Sequence, residues 1–292
     1  MHVHYVLVPN ADHTAVLVTD GALPAVAAER IRTAVVPETL ERELGLRAPF
    51  LRVAAVIKDA DDKPTTALLE FDAPRSLSGG TWIAVDEAPR LVPPELRKPA
   101  ERWVAEQFGA PIPPERAPWA RPGWLAEAEA WIAENVELVE APRLHAQWPL
   151  SSVLRATTAD GAVYFKAAFP LFSHEPGVTA AVARAHPEIV PSVLAIEPER
   201  GWLLMHELRG PMLGDLDRSR WSEAGPLLAE IHRTWSSRRD DIFALGAVDR
   251  GLDTLAVPDE LRGDLEALQE LAWPETLVHG DFHPWNVVAG ST

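Results

Sequence analysis

Ten residues, Leu277 to Asn286, read Leu-Val-His-Gly-Asp-Phe-His-Pro-Trp-Asn and constrain this chain more than any other stretch. They set His279, Asp281 and Asn286 in the spacing H-x-D-x-x-x-x-N. A carboxylate at Asp281 and an amide five residues on can serve one reaction. The carboxylate accepts or orients the proton of an attacking hydroxyl, and the amide oxygen of Asn286 holds a magnesium ion. Gly280 and Pro284 predict a tight, irregular loop, with Glu275–Val278 leading in as a short, half-apolar strand. Asparagine occurs only three times in the chain, so its presence at this register is informative. The chain ends at Thr292, six residues after Asn286.

At 292 residues and 47% hydrophobic composition, the chain is long enough for two domains with real cores. No apolar run approaches the roughly 18–20 residues of a membrane span. The opening Met-His-Val-His-Tyr-Val-Leu-Val has no basic leader and no cleavage site, and reads as a first strand. There is no cysteine, which excludes disulfides, thiolate catalysis and cysteine-based zinc sites. These features predict a soluble cytoplasmic protein without a membrane partner. The formal net charge of −16 argues against nucleic acid, which needs a basic stripe. An acidic surface serves solubility and would steer a cationic small substrate.

Residues 1–91 read as a mixed α/β domain. Strands are predicted at His2–Val8, Thr14–Val18, Phe50–Lys58, Thr66–Phe71 and Trp82–Val85, with a turn at Asp59–Asp62 and a short helix Glu38–Leu44 capped by Gly45. Residues 92–138, rich in proline and tryptophan, predict a connector with helices at Glu95–Phe108 and Trp124–Val136. Its tryptophans (Trp103, Trp119, Trp124, Trp131) are expected to glue the flanking domains. In residues 139–210 the pattern predicts a hairpin, Leu150–Thr157 and Val163–Ala168 around Asp160-Gly161, then a helix Glu175–Ala185 and strands Val193–Glu197 and Trp202–Glu207. Residues 211–292 turn helical, at Trp221–Ser236 and Asp259–Leu271, and end just after the loop.

Lys166 lies inside an apolar strand between Phe165 and Ala167, where an ammonium needs a partner or a cleft. Glu175, opening the next helix, is that partner, as in the strand-lysine and helix-glutamate pair of kinases. Ser151 and Ser152, expected at a bend before the hairpin, would offer hydroxyls and N–H groups to phosphates. Glu207 and Leu208, closing the last strand before Gly210, stand where a kinase hinge presents its backbone to adenine. His279 and His283 would brace the loop, His283 alternatively approaching the phosphate. A competing reading takes His279, Asp281 and His283 as metal ligands.

Residues from about Gln147 to Val288 resemble the aminoglycoside phosphotransferase and choline kinase-like family. The matching signature is His-Gly-Asp-x-His-x-x-Asn, at His279, Gly280, Asp281, His283 and Asn286; the Leu228–His232 helix is also similar. The resemblance implies ATP, Mg²⁺ and a small-molecule hydroxyl acceptor. It implies an α+β, kinase-like bilobal fold with an incomplete C-terminal lobe. The family's second magnesium aspartate, one or two dozen residues further on, has no counterpart here. A truncated phosphotransferase with exposed apolar surface is therefore expected, or alternatively a kinase-like nucleotide- or ligand-binding regulatory protein without turnover.

Residues 38–46, Glu-Thr-Leu-Glu-Arg-Glu-Leu-Gly-Leu, resemble the end of a Nudix box through Leu40, Glu43, Gly45 and Leu46. Thr39 and Arg42 replace two of its glutamates, Glu38 its arginine and Pro24 its opening glycine. The metal cluster that Nudix hydrolysis requires is thus reduced to Glu43. The resemblance implies a Nudix-like domain acting as a binding or scaffold module.

Overall fold

The computed structural model describes residues 2–28 and 35–290. The chain mixes α and β structure, and its contacts divide it into two units, residues 1–136 with 141–154 and residues 137–140 with 155–292.

Unit 1 contains β1 (His2–Leu7), β2 (Ala15–Val18), β3 (Ala25–Ala28), α1 (Val35–Leu44), β4 (Phe50–Lys58), β5 (Pro64–Phe71), β6 (Thr81–Ala84), α2 (Arg97–Gln107) and α3 (Trp124–Asn135). Four strands form a sheet in the order β3-β1-β5-β4; β1 and β5 are parallel, the other neighbours antiparallel. Strands β2 and β6 pair separately. Val6 joins a core with Val26, Val36, Leu40 and Leu46, whereas its neighbour Leu7 joins another with Val16, Leu68, Leu96 and Trp103. Successive side chains leave opposite faces of a strand, so a sheet covered on both faces needs an almost unbroken apolar run.

The five strands read in this region form close to their predicted bounds, and α1 ends at Gly45 with φ +61. Strand β3 was not read, because Ala25-Val-Ala-Ala carries little strand signal. The expected role of Trp103 as inter-domain glue is corrected: with Val92, Leu96 and Ala100 it belongs to unit 1's own core.

A charged pair within this packing is Arg52–Glu70. Glu70 of β5 is 1% exposed and accepts from Arg52 Nε at 2.7 Å and Nη2 at 2.6 Å. Burial pushes the Glu70 carboxyl above its ordinary range, against the pull of Arg52.

Strands β7 (Leu138–Trp148) and β8 (Ser151–Thr158) contain residues of both units. They belong to a five-stranded sheet ordered β10-β11-β9-β8-β7, with β9 (Gly161–Ala168), β10 (Val193–Glu197) and β11 (Trp202–His206). Helix α4 (Glu175–Ala185) lies between β9 and β10 in the chain; α5 (Ala224–Trp235), α6 (Arg239–Ala244) and α7 (Arg262–Glu270) follow. Strand β7, whose apolar positions are irregular, and α6, too short to show periodicity, were not read. A small core joins Val182 of α4, Trp235 of α5 and Ile242 of α6, with Leu277 packed against it.

Helix α7 buries none of its side chains. Large apolar side chains are exposed near the loop, including Leu271, Trp273 (71%), Val278 (66%) and Trp285, and elsewhere in the chain, as at Phe108. Among the described residues, no helix is long and apolar enough to cross a membrane.

Arg52→Ala removes both hydrogen bonds that Glu70 accepts, leaving only the more distant charge of Arg116, and is expected to destabilise unit 1 by about 3 kcal/mol at pH 7, measured by urea unfolding. Glu70 without its partner holds its proton more tightly when folded than when unfolded. The deficit therefore shrinks as pH falls through the raised folded-state values of variant and wild type, and has reached its floor by 4.5, the ordinary carboxyl value.

Candidate functional site

Lys166 sits in β9 opposite Leu203 of β11. Its neighbours Phe165 and Ala167 are buried, so the strand pleat turns Lys166 to the other face, where its side chain keeps 28% exposure. Its Nζ donates to Glu175 Oε1. Glu175 occupies the first turn of α4, where the N-terminal end of the helix dipole favours a carboxylate. The pair expected from the sequence is thus present, with both partners partly withdrawn from water.

The segment 275–278 is not the strand expected; it is irregular. Thr276 Oγ1 donates to the His232 carbonyl at 2.7 Å, tying the lead-in to the end of α5. A short ladder pins the other end of the loop: Leu213 N–H donates to Val287 O at 2.8 Å, and Ala289 N–H to Pro211 O at 2.9 Å. Here the loop passes close over Gly214, where an added Cβ would lie 2.5 Å from the Trp285 ring. Trp285 also packs edge-on against Trp221, centroids 5.7 Å apart.

Within the loop, Gly280 takes φ +80, a conformation that other residues enter at a cost. This turn lets Asp281 N–H donate to His279 Nδ1 at 3.3 Å. Trp285 N–H donates to His283 Nδ1 at 3.2 Å in the same way. Asn286 Nδ2 donates to the Asp281 carbonyl at 2.9 Å and to its Oδ2 at 3.0 Å. The amide nitrogen is turned to Asp281, and Asn286 Oδ1 makes no hydrogen bond to any described residue. His283 Nε2 lies 3.6 Å from Asp281 Oδ2.

Both imidazoles therefore use Nδ1 as an acceptor, which places the proton of each neutral ring on Nε2. Neither nitrogen then offers a lone pair to a cation, which weighs against the His279–Asp281–His283 metal reading. Desolvation pushes His279 below the ordinary 6.5 of an imidazole; the charge of Lys166 and that of His283 push the same way, while Asp281 and Glu175 oppose them.

Three expected positions are placed differently. Ser151 and Ser152 lie within β8 rather than at an open bend, at 3% and 0% exposure. Ser152 Oγ donates to Gln147 Oε1 at 3.1 Å, and Gln147 Nε2 to Leu51 O at 2.7 Å, so that hydroxyl serves unit 1's interior. Glu207 N–H donates to Ala162 O, and its Oε1 accepts at 3.3 Å from Arg155 and from the Tyr164 hydroxyl. That N–H is held by the sheet rather than offered to a base. Leu208 follows it at 42% exposure. Arg155 and Tyr164 were not singled out in the sequence, which carries no local signal for either.

His279 is expected to titrate below 6.5 in an NMR pH series. Its Nδ1 bond to Asp281 is present above the folded-state value and lost as pH falls through it, because the protonated ring has no acceptor. Gly214→Ala is expected to displace Trp285 and speed amide exchange across residues 283–289, at about 1–3 kcal/mol of overpacking. Unchanged exchange there would show that the loop does not rest on Gly214.

No protein-family model matches the chain, and no curated protein matches it in sequence. Among solved structures it is similar to one described as the solution structure of the E. coli ORF135 protein, at 15% identity and a TM-score of 0.27, over 38% of this chain and 94% of that one. A likeness of that size carries no argument about fold or function.

Proposed function

We propose that this chain is an ATP-dependent phosphotransferase acting on a hydroxyl of a small molecule, with a kinase-like bilobal arrangement similar to the aminoglycoside phosphotransferase and choline kinase-like family. One observation carries the reading. The Lys166–Glu175 pair and the His279–Asn286 loop belong to one unit, and Leu277, at the start of the loop, packs on a core that includes Val182 of the helix that carries Glu175. In this reading Lys166 holds the nucleotide phosphates and Glu175 holds Lys166 in place.

Asp281 is exposed and accepts from Asn286, so its carboxylate is oriented while remaining open to an incoming hydroxyl. It takes or orients the hydroxyl proton. His279 and His283 brace the backbone of the loop through Nδ1 and need not react. Asn286 Oδ1, a hard oxygen turned from Asp281, fits magnesium and is the atom that would hold it. Magnesium, when bound, supplies charge neutralisation on the transferring phosphoryl group. Ser151, Ser152 and the Glu207 N–H are not used in this reading.

Unit 1 is read as a Nudix-like scaffold rather than a hydrolase. Leu40 and Leu46 serve its core, while Glu43 is exposed and paired with Arg42 at 3.1 Å. No grouping of three ligating side chains among the described residues includes Glu43.

The test is ATP turnover with a panel of amino alcohols, aminoglycosides and sugars, alongside ATP-Mg²⁺ binding followed by thermal shift. Asp281→Asn is expected to lower turnover by about 10²–10⁴-fold while ATP still binds, and Lys166→Ala is expected to weaken binding. Nucleotide binding without turnover in the unaltered chain would assign a ligand-binding role instead. No binding at all would overturn the proposal.

A further inference from the structure

A second group of ligating side chains lies in the same unit, away from the loop residues in sequence. His186 directly follows α4, Glu188 comes two residues later, and Glu230 projects from α5. One ligand atom from each lies within 4.8 Å of the others. His186 Nδ1 is 4.0 Å from Glu188 Oε1 and 3.9 Å from Glu230 Oε1. Both separations exceed a hydrogen bond.

The imidazole is the unusual member. Its side chain is 4% exposed, and its Nε2 is buried without a hydrogen-bond partner. The nitrogen that faces the two carboxylates is Nδ1, which lies beyond hydrogen-bond reach of both. A buried ring nitrogen left so is costly unless a ligand supplies the interaction. Nε2, on the far side of the ring, takes no part in the site. The two carboxylates that face Nδ1 are 63% and 49% exposed, so they are free to adjust.

We propose that His186, Glu188 and Glu230 form a site for a divalent transition-metal ion of the zinc class, with water completing the coordination. Imidazole with carboxylates suits zinc, and bonds of about 2.0–2.2 Å set tetrahedral donors roughly 3.4 Å apart. The two Nδ1–Oε1 separations need close by only about half an ångström, and the three ligand atoms, within 4.8 Å of one another, draw together as the two exposed glutamate side chains change rotamer.

The backbone around His186 is already fixed. Its N–H donates to Val182 O, and its carbonyl accepts from Ile189 and Val190, so the ring is presented by a rigid turn. An ion here joins the end of α4 to α5. Helix α4 carries Glu175 at its other end, and the carbonyl of His232 on α5 receives Thr276 ahead of the loop. The site therefore braces the two helices that position the proposed phosphotransfer residues. Its existence does not rest on that function.

The experiment is titration of the chelator-stripped full chain with Zn²⁺ by calorimetry, and with Co²⁺ for the visible bands of a low-symmetry site. The unaltered chain is expected to take up one equivalent and to melt at a higher temperature with metal, since an ion that binds only the folded state stabilises it. The Glu188→Gln/Glu230→Gln double variant, altered at exposed positions, is expected to bind at least about tenfold more weakly. His186→Asn is expected to lose the Co²⁺ bands. No uptake by the unaltered chain, or uptake of equal affinity in the folded double variant, overturns the site.

Discussion

The contact between Lys166 and Glu175 is the interaction on which the rest of the candidate site depends. A strand that sends Phe165 and Ala167 into the core must turn Lys166 to its other face, where the ammonium is only partly hydrated. Such a charge requires a carboxylate, and the first turn of α4 provides one. The position of that turn is in turn held by a small core of Val182, Trp235 and Ile242. Leu277 packs against the same core, so α4 and the approach to the loop share one set of apolar contacts.

The loop itself is held by polar rather than apolar means. Its lead-in is irregular, and it is fixed by Thr276 on α5 at one end and by the ladder to residues 211–213 at the other. Between these anchors, two imidazoles accept backbone N–H groups and one amide steadies the carboxylate. The histidines thereby spend their lone pairs on the loop's shape. The Asp281 carboxylate and Asn286 Oδ1 are left outside that backbone bonding.

Much of this was legible in the sequence where the signal is local. The hairpin around Asp160-Gly161, helix Glu175–Ala185 and strand Val193–Glu197 form as read, because turn glycines and apolar periodicity act over a few residues. The Lys166–Glu175 pair was also legible, since a lysine among buried residues demands a partner. Ser151 and Ser152 were misplaced because polarity suggests exposure; only the tertiary contact through Gln147 to Leu51 shows where the Ser152 hydroxyl is spent. The burial of Trp103 was hidden for the converse reason. Its prolines and tryptophans look like a connector until the sheet they cover is in place.

The sequence by itself determined which groups are available: a carboxylate and an amide five residues apart, a lysine confined to an apolar strand, and an acidic helix start to meet it. Those depend on covalent order and on the periods of strand and helix. The tertiary structure decided which lone pairs and protons remain free. It assigned Nδ1 of His279 and His283 to the backbone, the Glu207 N–H to the sheet and the Ser152 hydroxyl to the interior. It also left His186 buried beside two carboxylates without a bond. Hydrogen bonds form between groups distant in sequence, and burial depends on every layer above a residue, so neither can be read from residue order alone.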